Sequence, residues 1–448
     1  MRRWFGSCGM ALAIGMLGGG AATAADAPTY HREVVRILQK HCQDCHRPGQ
    51  VAPFSLLNYD QARKRATDLA AVTADRKMPP WHASNDEGGP FRDARVLSQE
   101  EIATLGRWAE AGCPEGTSTD APAPRTWDSD WSLGTPDLVL KASEAYSLAA
   151  EGRDEFRVFV LPTGLTEGKW VAAVDFLPGN PKIVHHVLAA FDVRGAAKKL
   201  DEADPESGYK AFGGFGVVPS GGLGGWSPGK VARPLPNGVG RYLPAGADVL
   251  LQVHYHRSGK VESDQTSIGL YFAKDKVDKQ VRGGMVIPPA SGLFRRPALL
   301  IPAGDANYEI TGTKTIDEDS HLFAVTPHMH WLGKDFLMKA IRPDGSTVTL
   351  IRIDQWDFNW QGGYDFMAPV PLPKGTRIEM KAHFNNSAEN PANPNSPPVA
   401  VHWGEQTTDE MCIGFLQMTV DDEHRENQPP PRFAAPPVER LKAAARPE

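Results

Sequence analysis

The chain has 448 residues, which is enough for two to four domains that each bury a core of their own. Hydrophobic residues make up 41% of it and charged residues 23%, the ordinary balance of a globular protein. The formal net charge of −6 gives no reason to expect nucleic acid or an anionic membrane surface as a partner. The high content of glycine (44) and proline (38) favours many short strands joined by turns.

The first residues predict an export signal. Arg2 and Arg3 are followed by an apolar run of small residues at 9–20, and the Ala-Thr-Ala sequence at 22–24 fits a cleavage site. A membrane anchor is the alternative, but the run is shorter than the roughly 18 residues that span a bilayer. We therefore expect residues 1–25 to be removed. The mature protein is expected to be soluble, without a membrane span, in the periplasm or outside a bacterial cell.

Residues 27–118 predict a small all-α domain, because apolar residues recur at helical spacing within 31–40 and again within 98–111. Residues 119–135 are rich in Thr, Asp, Ala and Pro and have no hydrophobic period, which predicts a linker.

The pattern changes after the linker to short apolar runs between Gly- and Pro-rich turns, which predicts antiparallel sandwiches or jelly rolls. This part of the chain is too long for one sandwich, so we divide it into two all-β jelly-roll domains at 136–290 and 291–420. Residues 421–448 are polar and Pro-rich, and they are expected to be disordered.

Residues 42–46 read Cys-Gln-Asp-Cys-His, the motif that attaches c-type haem. In this motif the thiols of Cys42 and Cys45 form thioethers, and His46 ligates the iron. The alternatives are a redox dithiol or half of a zinc site, but a second Cys or His pair for zinc is not obvious nearby. The preceding helix and the export signal favour haem, so residues 27–118 predict a c-type cytochrome domain with one covalent haem.

The sixth ligand of such a haem is a thioether or an imidazole further along the chain. Met78 is the best candidate, because the sequence Lys-Met-Pro-Pro-Trp at 77–81 holds the backbone extended and presents the thioether rigidly. His82 is the alternative, and an imidazole there would lower the reduction potential.

Three histidine pairs follow in the β-rich part of the chain: His185 with His186, His254 with His256, and His328 with His330. Histidines two residues apart in a strand project from one face and can bind one ion. Adjacent histidines point to opposite faces, so the first pair can share an ion only where the strand bulges or ends. Each pair alone could equally pack in a core or face solvent. Three pairs among only 14 histidines favour a metal site.

A thioether beside imidazoles is a ligand set that suits copper, because zinc seldom recruits methionine. Four motifs then resemble, in the same order, the copper type II, ascorbate-dependent monooxygenases, which include the peptide-amidating and dopamine-hydroxylating enzymes. The motifs are Val-His-His-Val at 184–187, Gln-Val-His-Tyr at 252–255, His-Met-His-Trp-Leu-Gly-Lys at 328–334 and Asp-Glu-Met-Cys at 409–412. The resemblance covers roughly residues 136–420.

The resemblance implies two copper ions, one on each jelly roll, that face each other across a solvent-filled cleft. The implied ligands of the electron-transfer copper are His185, His186 and His254. Those of the oxygen-binding copper, where O2 is reduced and a C–H bond hydroxylated, are His328, His330 and Met411. His256 has no ligand counterpart in the family.

The chain departs from the peptide-amidating members at the substrate's carboxylate. Thr326, Ile413 and Phe415 stand where those members have an Arg, an Asn and a Tyr. Removing the substrate's carboxylate from water at this place costs free energy when no Arg pairs with it. A small organic substrate more apolar than a glycine-ending peptide is therefore expected. The family's disulfides are also missing, since Cys412 has no visible partner and a bridge to Cys113 is not expected.

Together these features predict a multidomain fold, with a small all-α cytochrome c domain followed by two all-β jelly-roll sandwiches. The predicted function is an exported copper monooxygenase that receives electrons through its own haem. The electron donor is unknown, either ascorbate or a periplasmic redox protein. The alternatives are a non-catalytic copper-binding or electron-transfer protein, and sandwiches whose histidines only pack in the core.

Replacing Cys42 and Cys45 with alanine should abolish covalent haem, because those two thiols form the thioether bonds. Haem staining of the denatured protein measures this, and staining that persists would contradict the motif's interpretation. Met78→Ala should leave the haem attached and remove the methionine-to-iron charge-transfer band. An unchanged absorption spectrum would point to His82 or to no sixth protein ligand.

Overall fold

The computed structural model describes residues 27–127, 131–212, 214–291, 296–297, 299–404 and 406–433. The predicted signal peptide at 1–25 and the end of the predicted tail at 434–448 lie outside the described residues. β-Strands dominate, and several sheets are arranged as β-sandwiches. Among the described residues, no helix combines the length and the apolar character that crossing a membrane requires.

The helices are short and lie mainly before residue 111. Their bounds are α1 (Val35–His41), which continues a π-helical turn at Tyr30–Val34, α2 (Tyr59–Arg63), α3 (Ala66–Ala74), α4 (Gln99–Glu110) and α5 (Ala196–Ala203). Helix α4 begins with a capping box between Ser98 and Glu101. Helices α1–α4 share one apolar core, which includes the fully buried Leu38 and Trp108.

Residues 27–118 are not the all-α domain that the sequence predicts. Strand β1 (Ala83–Gly88) pairs antiparallel with a strand at Thr347–Ile353, and Phe91 forms a further bridge with Phe366. The segment between α3 and α4 therefore extends a sheet of the second sandwich. The sequence Ala-Ser-Asn-Asp-Glu-Gly at β1 has no hydrophobic alternation, so only the neighbouring strand determines its conformation.

The strands of the first sandwich follow α4 in the chain. They are β2 (Leu138–Lys141), β3 (Tyr146–Leu148), β4 (Glu155–Pro162), β5 (Lys169–Leu177), β6 (Val184–Asp192), β7 (Tyr209–Lys210), β8 (Gly221–Trp226), β9 (Val239–Leu243), β10 (Asp248–Tyr255), β11 (Glu262–Asp264), β12 (Ser267–Phe272) and β13 (Lys279–Gln280). One sheet has the order β7-β4-β10-β6-β8 and the other β13-β9-β5-β12-β2. Apolar side chains of both sheets, among them Val187, Leu251 and Ile268, form one buried core.

The strands of the second sandwich complete the chain. They are β14 (Arg282–Val286), β15 (Ala290–Ser291), β16 (Arg296–Pro297), β17 (Leu300–Ile301), β18 (Tyr308–Thr315), β19 (Ser320–Met329), β20 (Gly333–Ile341), β21 (Thr347–Ile353), β22 (Tyr364–Leu372), β23 (Arg377–Phe384), β24 (Val401–His402) and β25 (Cys412–Val420). The sheets have the orders β1-β21-β20-β23-β18 and β14-β25-β19-β22. Because β14 already pairs with β25, the boundary between the sandwiches lies before residue 282 rather than at 290.

The two sandwiches contact each other directly. Val239 of the first and Phe323 of the second belong to one small apolar cluster. Beside it, the guanidinium of Arg241 donates a hydrogen bond to the side chain of Gln417. Apolar and polar contacts therefore fix the faces that the sandwiches turn toward each other.

Residues 421–433 are not disordered, contrary to the sequence-based expectation. After β25 the chain returns to the first sandwich, where the Trp170 indole donates a hydrogen bond of 3.1 Å to the carbonyl of Asn427. The ring of Phe433 packs against Phe191. A polar, Pro-rich composition predicts disorder only where no partner surface exists, and here the first sandwich provides that surface.

Candidate metal centres

Strand β6 carries a β-bulge at the first histidine pair. His254 of β10 lies opposite His186, but the next residue, Tyr255, lies opposite Val184, so His185 is an extra residue in β6. The bulge confirms the expectation that adjacent histidines need a local irregularity to point to one side. Both imidazoles consequently turn toward the ring of His254.

The three rings form a compact cluster of nitrogen donors. The Nδ1 atoms of His185 and His186 are 3.1 Å apart, and those of His254 and His186 are 3.3 Å apart. One donor atom from each of the three histidines lies within 4.8 Å of the others. Nitrogen donors bound at about 2.0–2.1 Å to one ion lie about 3–3.5 Å apart, so this spacing fits a single metal ion.

Asp154 holds the third histidine of this cluster. One carboxylate oxygen lies 3.0 Å from Nε2 of His254, which leaves Nδ1 of that ring directed at the cluster. The other oxygen lies 3.2 Å from Nδ1 of His256, whose side chain is 67% exposed. The structure therefore brings His254 into the cluster and leaves His256 outside it. A carboxylate behind a metal-binding imidazole fixes the ring and its tautomer.

Burial keeps the imidazoles of His185 and His186 neutral. Burial lowers the pKa of His185 to about 3, with the neighbouring His254 adding to the effect. The pKa of His186 is also well below its ordinary value, again because the ring is buried, and nearby histidines lower it further. Neutral imidazole is the form that binds a metal, so protonation does not compete with binding at neutral pH.

The second histidine pair lies at the end of β19. His328 is in the strand and His330 follows it, and their ring centroids are 5.1 Å apart with nearly perpendicular planes. Nδ1 of His328 contacts the side-chain oxygen of Gln361, and Nδ1 of His330 lies 3.0 Å from the carbonyl of Asp409. Because Nδ1 is occupied in each ring, Nε2 remains as the donor for a metal.

Burial lowers the pKa of His328 to about 3 and that of His330 to about 4. Both rings are therefore neutral at neutral pH, like those of the first cluster. No sequence pattern singles out Gln361, which lies in a Gly-rich turn after β21 and contacts the ring of His328.

Met411 lies immediately before β25. The register pairs His328 with Ile413 and Met329 with Cys412, and both strands end there, one residue short of His330 and Met411. The backbone N–H groups of His330 and Met411 donate to the same carboxylate oxygen of Glu410, so the two residues lie close together. The candidate donor set is therefore two Nε2 atoms and one sulfur, different from the all-nitrogen cluster on β6 and β10.

Glu410 organises the backbone of this second centre. Its side chain is fully buried and accepts hydrogen bonds from the backbone N–H groups of His330 (2.8 Å), Leu332 (2.6 Å) and Met411 (3.2 Å). Burial raises the pKa of this carboxyl to about 8, although the three N–H donors oppose that rise. One side chain thus joins the two segments that supply the donors.

Phe358 connects the two centres. Its ring stacks on His185 at a centroid distance of 5.6 Å and meets His330 edge-on at 5.9 Å. The resemblance implies a solvent-filled cleft between the centres, whereas here an aromatic ring touches one imidazole of each. Phe358 is buried, in a turn whose sequence carries no pattern that could have identified it.

The three positions that depart from the peptide-amidating pattern share the face of the second centre. Thr326 pairs with Phe415, and His328 pairs with Ile413. Phe415 is partly exposed, and its neighbour on β14 is the exposed Met285. The surface beside the second centre is therefore largely apolar.

The Cys-x-x-Cys-His motif follows α1 in a turn. Cys42 and Cys45 are both free thiols, and burial raises the pKa of each. Nδ1 of His46 lies 3.1 Å from the carbonyl of Phe54, so Nε2 remains available as a ligand. The donor set of unpaired thiols and a half-buried imidazole with a free nitrogen fits covalent c-type haem.

The predicted linker packs on this motif rather than standing free. Trp127 donates a hydrogen bond to the carboxylate of Asp44, and its ring lies under the guanidinium of Arg47. Residues 119–127 and 131–135 have no regular secondary structure apart from a short turn that ends at Asp120.

Met78 and His82, the two candidates for the sixth haem ligand, lie in different surroundings. Met78 lines a small crevice together with Arg95, whose charge also acts on the thiol of Cys45. His82 contacts the backbone of Trp360 in the second sandwich, and burial lowers its pKa. Arg95 also lines a second crevice together with His82, so it lies near both candidates.

Cys113 and Cys412 are both buried and free, so the described cysteines form no disulfide. Cys113 belongs to the core of the helices and Cys412 to the core of the second sandwich. This separation confirms the expectation that they are not bridged.

Residues 290–424 match the family model described as the C-terminal domain of copper type II ascorbate-dependent monooxygenases. The matched region contains His328, His330 and Met411. The second sandwich is accordingly similar to the C-terminal domain of those monooxygenases. None of the curated proteins compared with the chain matches it.

Solved structures give only distant likenesses. The major capsid protein P2 of bacteriophage PM2 is 9% identical and has a TM-score of 0.28, over 64% of this chain and 98% of that chain. A structure of infectious bursal disease virus, Gx strain, is 10% identical and has a TM-score of 0.19, over 68% and 76% of the respective chains. Scores this low do not establish a common fold.

Glu410→Gln should lower the free energy of unfolding by about 1–3 kcal/mol. The NH2 group of the glutamine amide would face buried backbone N–H groups, which are donors themselves and cannot accept a hydrogen bond from it. Urea denaturation measures the loss. Glu309→Gln is the matched control, since Glu309 is an exposed acid of the same sandwich and should have little effect. Equal stability of the two variants would contradict the organising role of Glu410.

Proposed function

We propose that the chain is an exported dicopper monooxygenase that hydroxylates a C–H bond of a small organic, non-peptide substrate with O2. One observation carries the proposal: two separate buried donor sets of different composition are linked by the ring of Phe358. The family match over residues 290–424 supports the same reading for the second set.

The residues present fit copper at both centres. His185, His186 and His254 would hold the electron-transfer copper through Nδ1, and the donor spacing suits one ion. The second set would hold the oxygen-binding copper through two Nε2 atoms and the thioether, so we take His328, His330 and Met411 as the catalytic residues. When bound, copper supplies one-electron steps between Cu(I) and Cu(II), and a neutral sulfur donor favours Cu(I).

The protein's own groups prepare these centres. Burial keeps the imidazoles neutral, so they can act as donors without first losing a proton. Asp154 and Gln361 each engage the ring nitrogen that would not bind metal. Phe358 excludes water from the space between His185 and His330.

We further propose that Cys42, Cys45 and His46 hold one covalent haem c, with Met78 as the second axial ligand. The haem would receive electrons from a donor, either ascorbate or a periplasmic redox protein, and supply them to the copper-bearing sandwiches. The pairing of β1 with β21 supports this arrangement, since it ties the haem-motif segment to the second sandwich. The predicted signal sequence supports a location in the periplasm or outside a bacterial cell.

A non-catalytic copper-binding or electron-transfer protein is the second candidate. It needs a metal site, but it does not need two donor sets of different composition or an open apolar surface beside one of them. The partly exposed Phe415 and exposed Met285 next to His328 favour an enzyme that admits an organic substrate.

The proposal is tested by O2 consumption of the reduced, copper-loaded protein with a panel of small organic compounds, with mass analysis of the products. Incorporation of one oxygen atom into a product supports the monooxygenase. Full copper occupancy without any hydroxylated product across the panel would favour the electron-transfer protein.

Copper analysis of variants should separate the two centres. Met411→Ala should impair O2 reduction and leave the copper of His185, His186 and His254 bound. His254→Ala should empty that centre and leave the second able to bind carbon monoxide as a Cu(I) probe. Each variant should keep about one copper of two, because no donor is shared between the sets.

His256→Ala is the matched control for His254→Ala, because His256 sits two residues away, contacts the same Asp154 and is exposed. It should keep both coppers. Loss of one copper in the His256 variant but not in the His254 variant would contradict the ligand assignment. Loss of both coppers from any single variant would show one shared cluster.

Peptides that end in glycine should be poor substrates, because Thr326, Ile413 and Phe415 offer a carboxylate neither a cation nor an amide beside the second centre. Comparing kcat/KM of such a peptide with that of its uncharged ester measures the effect. Efficient hydroxylation of the free peptide acid would show that this interpretation of the pocket is wrong.

A further inference from the structure

A cavity of about 540 Å³ lies between the two sandwiches, away from the donor atoms of both centres. Its walls come from β5, β8 and the segment 230–237 of the first sandwich, and from β19, β22 and β25 of the second. The volume is within the roughly 300–1,000 Å³ that is usual for small-molecule sites. Because size alone does not identify a ligand, the charged side chains of the wall decide what the cavity can bind.

Four cations and two carboxylates line this cavity, among them Lys230, Arg241 and Asp365. The Lys230 ammonium donates a hydrogen bond of 2.7 Å to the carbonyl of Gly225, and the Arg241 guanidinium donates to Gln417. The charge of Asp365 acts on both cations. Within the described part of the chain, however, Asp365 forms an ion pair with neither of them. A lysine ammonium has three N–H donors and a guanidinium has five, so both cations retain donors for another acceptor.

The positive charge of this wall exceeds its negative charge. Burial lowers the pKa of Lys230 below its ordinary value and lowers that of Arg241 to about 10, and both residues are only partly exposed. Removing a cation from water costs free energy unless an anion compensates its charge. Here one carboxylate, that of Asp365, faces the two cations Lys230 and Arg241.

The other charged groups of the wall do not supply that compensation. Arg233 forms an ion pair with Asp93 at the rim, so these two residues add no net charge to the wall. Arg92 adds a third positive charge, which is held by backbone carbonyls of β22. Asp175 is turned away from the cations and accepts the backbone N–H groups of Ser132 and Phe176.

Most of the remaining wall is apolar. Leu223, Trp226, Leu235, Phe323 and Phe366 contribute to it. A hydrated inorganic anion would leave this surface unused, whereas an organic anion would fill it. We propose that the cavity binds an organic molecule that has one carboxylate, placed against Lys230 and Arg241, and an apolar body packed on these side chains.

Beyond the cavity wall, the Lys230 ammonium approaches Gly363. The Thr326 hydroxyl and the Lys230 ammonium lie 3.0 Å and 3.9 Å from the point where a side chain at Gly363 would begin. Thr326 precedes His328 by two residues on the same face of β19. No residue of the cavity wall is a proposed metal donor, so ligand binding in the cavity is independent of copper.

Calorimetric titration of the full-length protein with 4-phenylbutanoate, compared with the uncharged 4-phenylbutan-1-ol, tests the site. The carboxylate should bind about tenfold or more tightly than the alcohol, because only the carboxylate compensates the cations. Lys230→Gln and Arg241→Gln should each remove most of that preference. Lys381→Gln is the matched control, since Lys381 is an exposed cation of the second sandwich outside the cavity wall, and this variant should bind both probes as the unaltered protein does.

Asp365→Asn provides a variant whose expected effect, tighter binding, cannot result from misfolding. Removing the competing carboxylate should tighten binding of 4-phenylbutanoate severalfold, whereas a damaged fold would weaken it.

Equal binding of the two probes, no binding by the unaltered protein, or no effect of the Lys230 and Arg241 variants would overturn the proposal. Titration after copper removal must give the same affinity. Dependence on copper would place the carboxylate on a metal centre and would also overturn it.

Discussion

The first metal centre depends on one extra residue in a strand. Successive side chains of a strand point to opposite faces, so His185 and His186 could not meet at one ion in a regular β6. The bulge at His185 gives up the regular pairing of the β6–β10 ladder there and turns two imidazoles toward His254. Asp154 then fixes the third ring from behind. The strand pairing and the carboxylate hold this arrangement in place.

The second centre is held together by different contacts. Here the pairing of β19 with β25 brings together the segments that carry His328, His330 and Met411, and a buried carboxylate ties the two segments to each other. The centre on β6 and β10 is held through side-chain rings, whereas this one is held through backbone N–H groups. The packing of the two sandwiches brings the centres together at Phe358, so the interface between domains is part of the functional site. The same interface encloses the cationic cavity.

The sequence predicted those parts of the molecule that local pattern determines. Adjacent histidines required a bulge, the spacing of His328 and His330 required a shared face, and the distance between Cys113 and Cys412 argued against a bridge. The structure has all three features.

The parts that the sequence did not predict depend on distant contacts. Strand β1 is polar and becomes a strand only beside β21, and Phe433 is ordered only against the first sandwich. Phe358 and Gln361 lie in turns, where no periodicity marks a functional side chain.

X-ray absorption at the copper edge of the fully reduced, copper-loaded protein tests the central claim most directly, because it reports the donor atoms without any knowledge of the substrate. Two centres of different composition predict nitrogen donors at every copper and one sulfur donor for each pair of copper ions. The sulfur contribution should vanish in Met411→Leu, whereas the nitrogen donors of His185, His186 and His254 remain. A spectrum without sulfur, or a sulfur contribution that persists unchanged in the variant, would contradict the account.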